Sequence, residues 1–394
     1  MVRLMGFELK KMYFNKFLII TLGIFMLINI YKIVQISQQD NTEVYGHEEL
    51  YSRLKGTITE DRISFVVDNY KKYSEIIASG HYSVEEDFEN TYTGYVMGDY
   101  NEFEHFFNEY ERLYNYGSLT DELCESAREN VEFFGKLNNQ YEMSRNKKIS
   151  VIYSNRQLTE YYDTKGEQQY FEYDFSTLLM FLIILTAVSR ILIIEKQNKM
   201  YYILETSKMG IVKNVIAKLV SMAVFILSII IVFALEDFIV FSCMYELDGL
   251  HCPVYAMADY KHAPVNYSII EYMIIGYFQK YNALLFFAMV VFLISLLTMD
   301  GIKTMITGLS FYVVMMYVAK ISKTIFNPIA LLVNFNFIKE FGTVNVFGNA
   351  IEYGVLVNII VALFSIMLGA IICVISGRKK MSVASSLRVF GGNK

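Results

Sequence analysis

Residues 281–319 read YNALLFFAMVVFLISLLTMDGIKTMITGLSFYVVMMYVA. These 39 residues hold only two charges, Asp300 and Lys303, which stand together at the midpoint. As helix, at 1.5 Å per residue, the stretch measures about 58 Å, roughly twice the ~30 Å of bilayer hydrocarbon. Asp300-Gly301-Ile302-Lys303 therefore predicts a turn, with one membrane span on each side of it. Inside lipid an unpaired backbone amide costs several kcal/mol, so only helices or closed barrels cross. Barrel strands alternate polar and apolar residues, and this run is apolar on every face.

The same reading outward finds four more runs of ~20 apolar residues. They are Phe17–Val34, Phe175–Ile194, Leu219–Val240 and Val355–Ile375. The first follows Arg3, Lys10, Lys11 and Lys16 and continues into Ile33-Val34-Gln35-Ile36 with no small-residue cleavage site, so it is expected to be retained. Asn29 and Lys32 lie towards its far end, where a lysine can snorkel. The expected fold class is an all-α membrane protein with six transmembrane helices and a mainly helical outer domain. Spans are placed at 17–36, 174–194, 219–240, 281–299, 304–321 and 354–376.

Composition agrees. The chain of 394 residues is 54% apolar, yet 19% is charged, so the charge must be segregated from the spans. Lys and Arg next to spans stay in the cytoplasm. Three flanks are basic: the segment 1–16, the loop 195–218 and the tail 377–394. Six spans put all three, with the 300–303 turn, on one side. Residues 37–173, with 13 basic and 27 acidic side chains, then face outward, as do 241–280 and 322–353. The expected location is the cell membrane, with both termini cytoplasmic.

The outer segment 37–173 has helical periodicity. Ile63, Val66, Tyr70, Tyr73 and Ile77 recur at spacings of three and four; so do Phe103, Phe106, Phe107, Tyr110 and Tyr114; so do Leu123, Ala127, Val131, Phe134, Leu137 and Tyr141. The segment's 17 tyrosines line these faces; an aromatic substrate-binding surface is one reading, and the expected one is packing with their hydroxyls in water.

Chemistry-bearing motifs are sparse. No G-x-x-x-x-G-K-[ST], G-x-S-x-G, H-E-x-x-H or G-x-G-x-x-G occurs, so no cofactor, nucleotide or catalytic role is expected of this chain, and nothing suggests a nucleic-acid partner. His251-Cys252 and His262 share an outer loop without a fourth ligand, and no metal is expected. Cys243 and Cys252 could pair outside. Glu236-Asp237 in the third span mark a candidate substrate path, because carboxylates in a span are expensive.

The most specific stretch is the inner loop, residues 195–218, which reads EKQNKMYYILETSKMGIVKNVIAK. Here the chain resembles the ABC-2 family of transporter permeases. In that family an acidic residue closes the second span, a short cytosolic helix ends in a Leu-Leu-x-x-Ser/Thr-like stretch, a Gly or Pro turn and a basic residue follow, and a Lys opens the third span. Glu195, Ile203-Leu204, Ser207, Gly210, Lys213 and Lys218 match in turn. Lys199 stands where glycine is usual and Lys208 where proline is common, which marks a divergent branch. The six spans, the basic helix at 1–16 and the long segment 322–353, where the family has short re-entrant helices, extend the resemblance.

It implies a non-catalytic membrane subunit, an exporter by analogy. Its partners would be a separate ABC ATPase subunit and a second permease half. Ile203 and Leu204, with Tyr201 or Tyr202 beside them, would anchor the loop helix in a groove of the ATPase, with Lys196, Lys199 and Lys208 paired to acidic groups on the rim. The competing expectation is a membrane-anchored receptor or secretion-accessory protein that transports nothing.

Overall fold

The computed structural model describes residues 2–40, 47–80, 91–197, 210–321, 324, 326–333 and 338–391. Six of its helices are long and apolar enough to cross a membrane. They are α2 (Lys16–Asp40), α8 (Phe175–Gln197), α9 (Gly210–Met244), α10 (Ile269–Thr298), α11 (Gly301–Ile321) and α13 (Tyr353–Gly391). The chain is a multi-pass α-helical membrane protein. An amphipathic helix α1 (Val2–Tyr13) precedes them.

In α8 and α9, 67% and 56% of the apolar window is buried inside the protein, against 17% in α2 and α11 and 22% in α13. The latter three turn Ile20, Leu27, Val314, Tyr317, Leu363 and Ile366 outward. Such continuous apolar surface is stable only against lipid or another apolar partner. Helix α10 packs on α8, α9, α11 and α13 and buries Leu284, Phe287, Val291 and Phe292. Gly308 lets α11 press against α8: a Cβ there would stand 2.8 Å from Leu185 Cδ1. One helical turn further, Tyr312 stacks on Phe181 with ring centroids 4.0 Å apart.

The turn between α10 and α11 is tighter than the predicted 300–303. Met299 closes α10 in the left-handed region (φ 50°), and Asp300 Oδ1 accepts from the amides of Ile302 and Lys303. The helices also outrun the hydropathy windows. Helix α10 begins at Ile269, because Ser268 and Glu271 form a capping box there. Helix α9 takes in Lys213 and Lys218, both assigned above to the loop. Helix α13 continues through the predicted tail to Gly391.

The domain is built from α3 (His47–Leu54), α4 (Glu60–Ser79), α5 (Val96–Lys136), α6 (Gln140–Ile152) and α7 (Lys165–Glu172). Strands β1 (Gly56–Thr57) and β2 (Glu160–Tyr161) form its two-residue antiparallel ladder. Its aromatic core includes Tyr73, Phe103, Phe106, Tyr110, Tyr161 and Phe171. Three predicted core positions face solvent: Tyr114 is 75% exposed while Leu113 beside it is buried, Leu123 yields to Cys124, and Leu137, just past the end of α5, is 61% exposed.

The expectation that tyrosine hydroxyls lie in water is also corrected. Tyr116 OH donates to Lys261 O at 2.9 Å, Tyr153 OH to His262 O, and Tyr110 OH to Leu54 O at 2.8 Å. Arg112 and Arg156 donate to Ala256 O and Val265 O. The segment 245–268 is mostly irregular, so its buried carbonyls need outside donors, and the domain's long polar-tipped side chains supply them.

Among its described residues, the segment before α13 holds the short helix α12 (Pro328–Leu332), capped by Asn327 and packed into the core of the spans. A hairpin follows, β3 (Thr343–Val346) with β4 (Asn349–Glu352), where short helices alone were expected. It rests on α6 through Tyr141 OH to Thr343 O and Ala350 N to Ser144 Oγ.

Candidate functional site

Among the described residues, two buried polar clusters lie on or against the membrane-spanning helices. The first lies where α1 crosses the end of α8 and the start of α9. Lys218, fully buried on α9, donates to Glu8 Oε2 at 2.8 Å and to Glu195 Oε1 at 2.6 Å. Lys11 reaches the same two carboxylates, at 2.8 Å and 3.1 Å. Asn214 Nδ2 adds bonds of 3.5 Å and 3.3 Å to Glu195. Glu8 and Glu195 are 2% and 3% exposed and Lys218 is fully buried, so these three charges lie out of water, while Lys11, 21% exposed, closes the cluster at its rim. Burial alone would lower the pKa of Lys11; the two carboxylates outweigh it and hold that value above the ordinary lysine one.

Local sequence explains the placement. In α1, Met5, Glu8, Leu9 and Met12 share one face at helical spacing, so the lone acid of a basic segment points inward with the apolar residues. Ser221 Oγ donates to Met5 O at 3.2 Å and Tyr13 OH to Ser228 Oγ at 2.7 Å, which fastens both ends of α1 to α9. The cluster thus clamps together the two helices that flank residues 198–209.

Of the predicted coupling residues, Glu195 is in this cluster. Gly210 starts α9, and Lys213 is exposed on its first turns. Lys199, Tyr201, Ile203, Leu204, Ser207 and Lys208 lie outside the described residues. Glu8 and Lys11 were not singled out from sequence.

The second cluster contains the predicted Glu236 and Asp237. Asn29 of α2, fully buried, donates to Asp237 Oδ1 at 2.7 Å and Glu236 Oε2 at 3.3 Å. Tyr173 OH donates to Asn29 Oδ1 at 2.7 Å. Lys280 of α10, 3% exposed, is in electrostatic reach of Asp174 and Asp237. Three carboxylates thus share a buried layer with one ammonium. Among the described residues, Glu236 Oε1 and Asp174 Oδ1 are buried without a hydrogen-bond partner.

The layer has a defined place. Phe25, Phe233 and Ala283 belong to the core of the spans, and Ile33, Phe241 and Met273 to that of the domain. The polar residues of α2, α9 and α10 fall between these pairs, at the seam of the two cores. Sequence offered Asn29 and the acid pair; Lys280 was hidden because it stands just before an apolar run and reads as a flank.

In the loop 245–268, His251 and Cys252 lie beside Glu160 of β2, while His262 is not part of the group. Cys243 and Cys252 are both free, Cys243 exposed and Cys252 buried, so they do not pair.

Fold and clusters together define a multi-pass helical membrane protein with a helical domain docked on one end of its bundle. Comparison with family models, with curated proteins and with solved structures returned no match.

Proposed function

We propose that this chain is the membrane subunit of an ATP-driven transporter of the ABC-2 kind, working with a separate ATPase and a second membrane half. The observation that carries the reading is the clamp of Lys218, Glu195, Glu8 and Lys11. A loop whose flanks are locked by buried charge cannot move without moving α8 and α9. Force applied to residues 198–209 by a partner is then passed to the spans. The end carrying α1, this loop and the 299–301 turn is assigned to the cytoplasm of the cell membrane, where ATP is.

The layer of Asn29, Glu236, Asp237 and Lys280 supports transport over simple anchoring. An anchor gains nothing from buried carboxylates, whereas a path for polar cargo needs them. A receptor reading is favoured by one feature, the shared core of domain and helix ends, through which a ligand on the domain would act on the bundle.

The test is Leu204→Asp. A carboxylate on the face assigned to the ATPase groove costs several kcal/mol if buried. The variant should insert at normal abundance and lose ATPase binding, while Leu204→Met stays close to silent. Unchanged binding and ATP turnover in Leu204→Asp would remove the loop from the mechanism.

A further inference from the structure

We propose that Glu160, His251 and Cys252 form a binding site for a zinc-class divalent cation that ties the domain to the segment joining α9 and α10. His251 Nε2 lies 3.2 Å from Glu160 Oε2 and 3.9 Å from Cys252 Sγ, and the three ligand atoms are all within 4.8 Å of one another. Around a tetrahedral zinc, with bonds of about 2.0–2.1 Å to N or O and about 2.3 Å to S, neighbouring N and O ligands stand ~3.3 Å apart and N and S ligands ~3.6 Å. The group is within a few tenths of an ångström of that spacing on the two His251 edges, and the third, Glu160 to Cys252, within 4.8 Å, closes by about an ångström when the exposed Glu160 side chain turns in on the ion.

The sequence has no metal spacing because the third ligand comes from 91 residues away. The fold supplies it and holds the set in place. Strand β2 is registered on β1 through Glu160 opposite Thr57. The segment carrying His251 and Cys252 is pinned by Ile269 N to Cys252 O and Ile270 N to Leu250 O, both at 2.9–3.0 Å, and by the Pro253–Ser268 bridge. The His251 ring meets Tyr162 edge-on, centroids 4.8 Å apart, which restrains its rotation.

Thiolate with imidazole and one carboxylate suits zinc and cobalt and disfavours magnesium and calcium, which take oxygen ligands. Cys252 is buried and unpaired, while the side chains of His251 and Glu160 are 56% and 41% exposed. The ion thus has an entry path, and a fourth position is open to water. The bland alternative is a surface ion pair between His251 and Glu160 beside an idle thiol.

Cobalt distinguishes the two. The full chain, purified in detergent without a histidine tag and stripped by chelator, is titrated with Co²⁺. The proposal expects one Co²⁺ per chain, a thiolate-to-cobalt charge-transfer band, and displacement of cobalt by Zn²⁺. Cys252→Ser should abolish the band, and Cys243→Ser should keep it. Glu160→Gln, an exposed change that spares the core, should weaken binding by more than the ~100-fold that loss of an outer partner alone can cost. Absence of the band in the native chain, its survival in Cys252→Ser, or unchanged affinity in Glu160→Gln would each overturn the site.

Discussion

Lys218 is the residue on which the clamp depends, since its ammonium is fully buried and, among the described residues, is paired with Glu8 and Glu195. Breaking a buried pair from one side costs about 3–5 kcal/mol, because a charge is left unpaired. Lys218→Met should therefore lower the unfolding temperature in detergent markedly. The double variant Glu8→Gln with Lys218→Met leaves Glu195 balanced by Lys11, so it should be more stable than Lys218→Met alone. A single variant as stable as the native chain would dissolve the network.

His47 is the residue that should give the domain a pH response. Its Nδ1 stands 2.6 Å from Glu102 Oε2, and this bond raises its pKa above the ordinary ~6.5 against the opposing effect of burial. A raised histidine value stabilises fully below the unfolded pKa, and the contribution is lost as pH rises through the folded one. Melting temperature should fall from pH ~6 to ~8 more steeply in the native chain than in His47→Gln. Equal slopes would remove His47 from the pH response. Neither Glu8 nor His47 was legible in the sequence. A lone acid in a basic segment reads as a solvated charge until the helix face on which it falls is traced.

At the scale of elements, α5 shows how far periodicity reaches. The predicted face holds through Phe103, Phe106 and Tyr110, and then the sequence offers both Leu113 and Tyr114 at allowed spacings. Leu113 takes the core, because tyrosine tolerates water at its tip and leucine does not. From there Tyr116, Thr120, Cys124 and Ala127 continue the buried stripe. Leu113→Ala should cost about 2–5 kcal/mol, and Tyr114→Ala should stay within about 0.5 kcal/mol of the native chain. Urea or thermal melts of the two variants check this; similar losses would restore the predicted register. The spans were legible because lipid demands unbroken apolar runs. Their true ends were not, since helix capping and docking decide them. The Ser268–Glu271 capping box was a visible cue that hydropathy alone passes over.

At the scale of the molecule, the structure has two apolar cores stacked end to end with a polar seam between them. The asymmetry of charge revealed a separate domain, but not that it grips the 245–268 segment, because side chains donating to backbone carbonyls leave no pattern in sequence. If the proposed function holds, that grip carries movements of α9 and α10 outward while the clamp of Lys218 carries them inward. The most direct measurement is purification of the native chain from its own membrane in mild detergent, followed by identification of what accompanies it and assay of ATP turnover. The account predicts a stoichiometric subunit with a phosphate-binding G-x-x-x-x-G-K-[ST] loop and ATP hydrolysis that depends on the complex. A chain that comes out alone, with no ATPase bound and none stimulated on reconstitution, would contradict it.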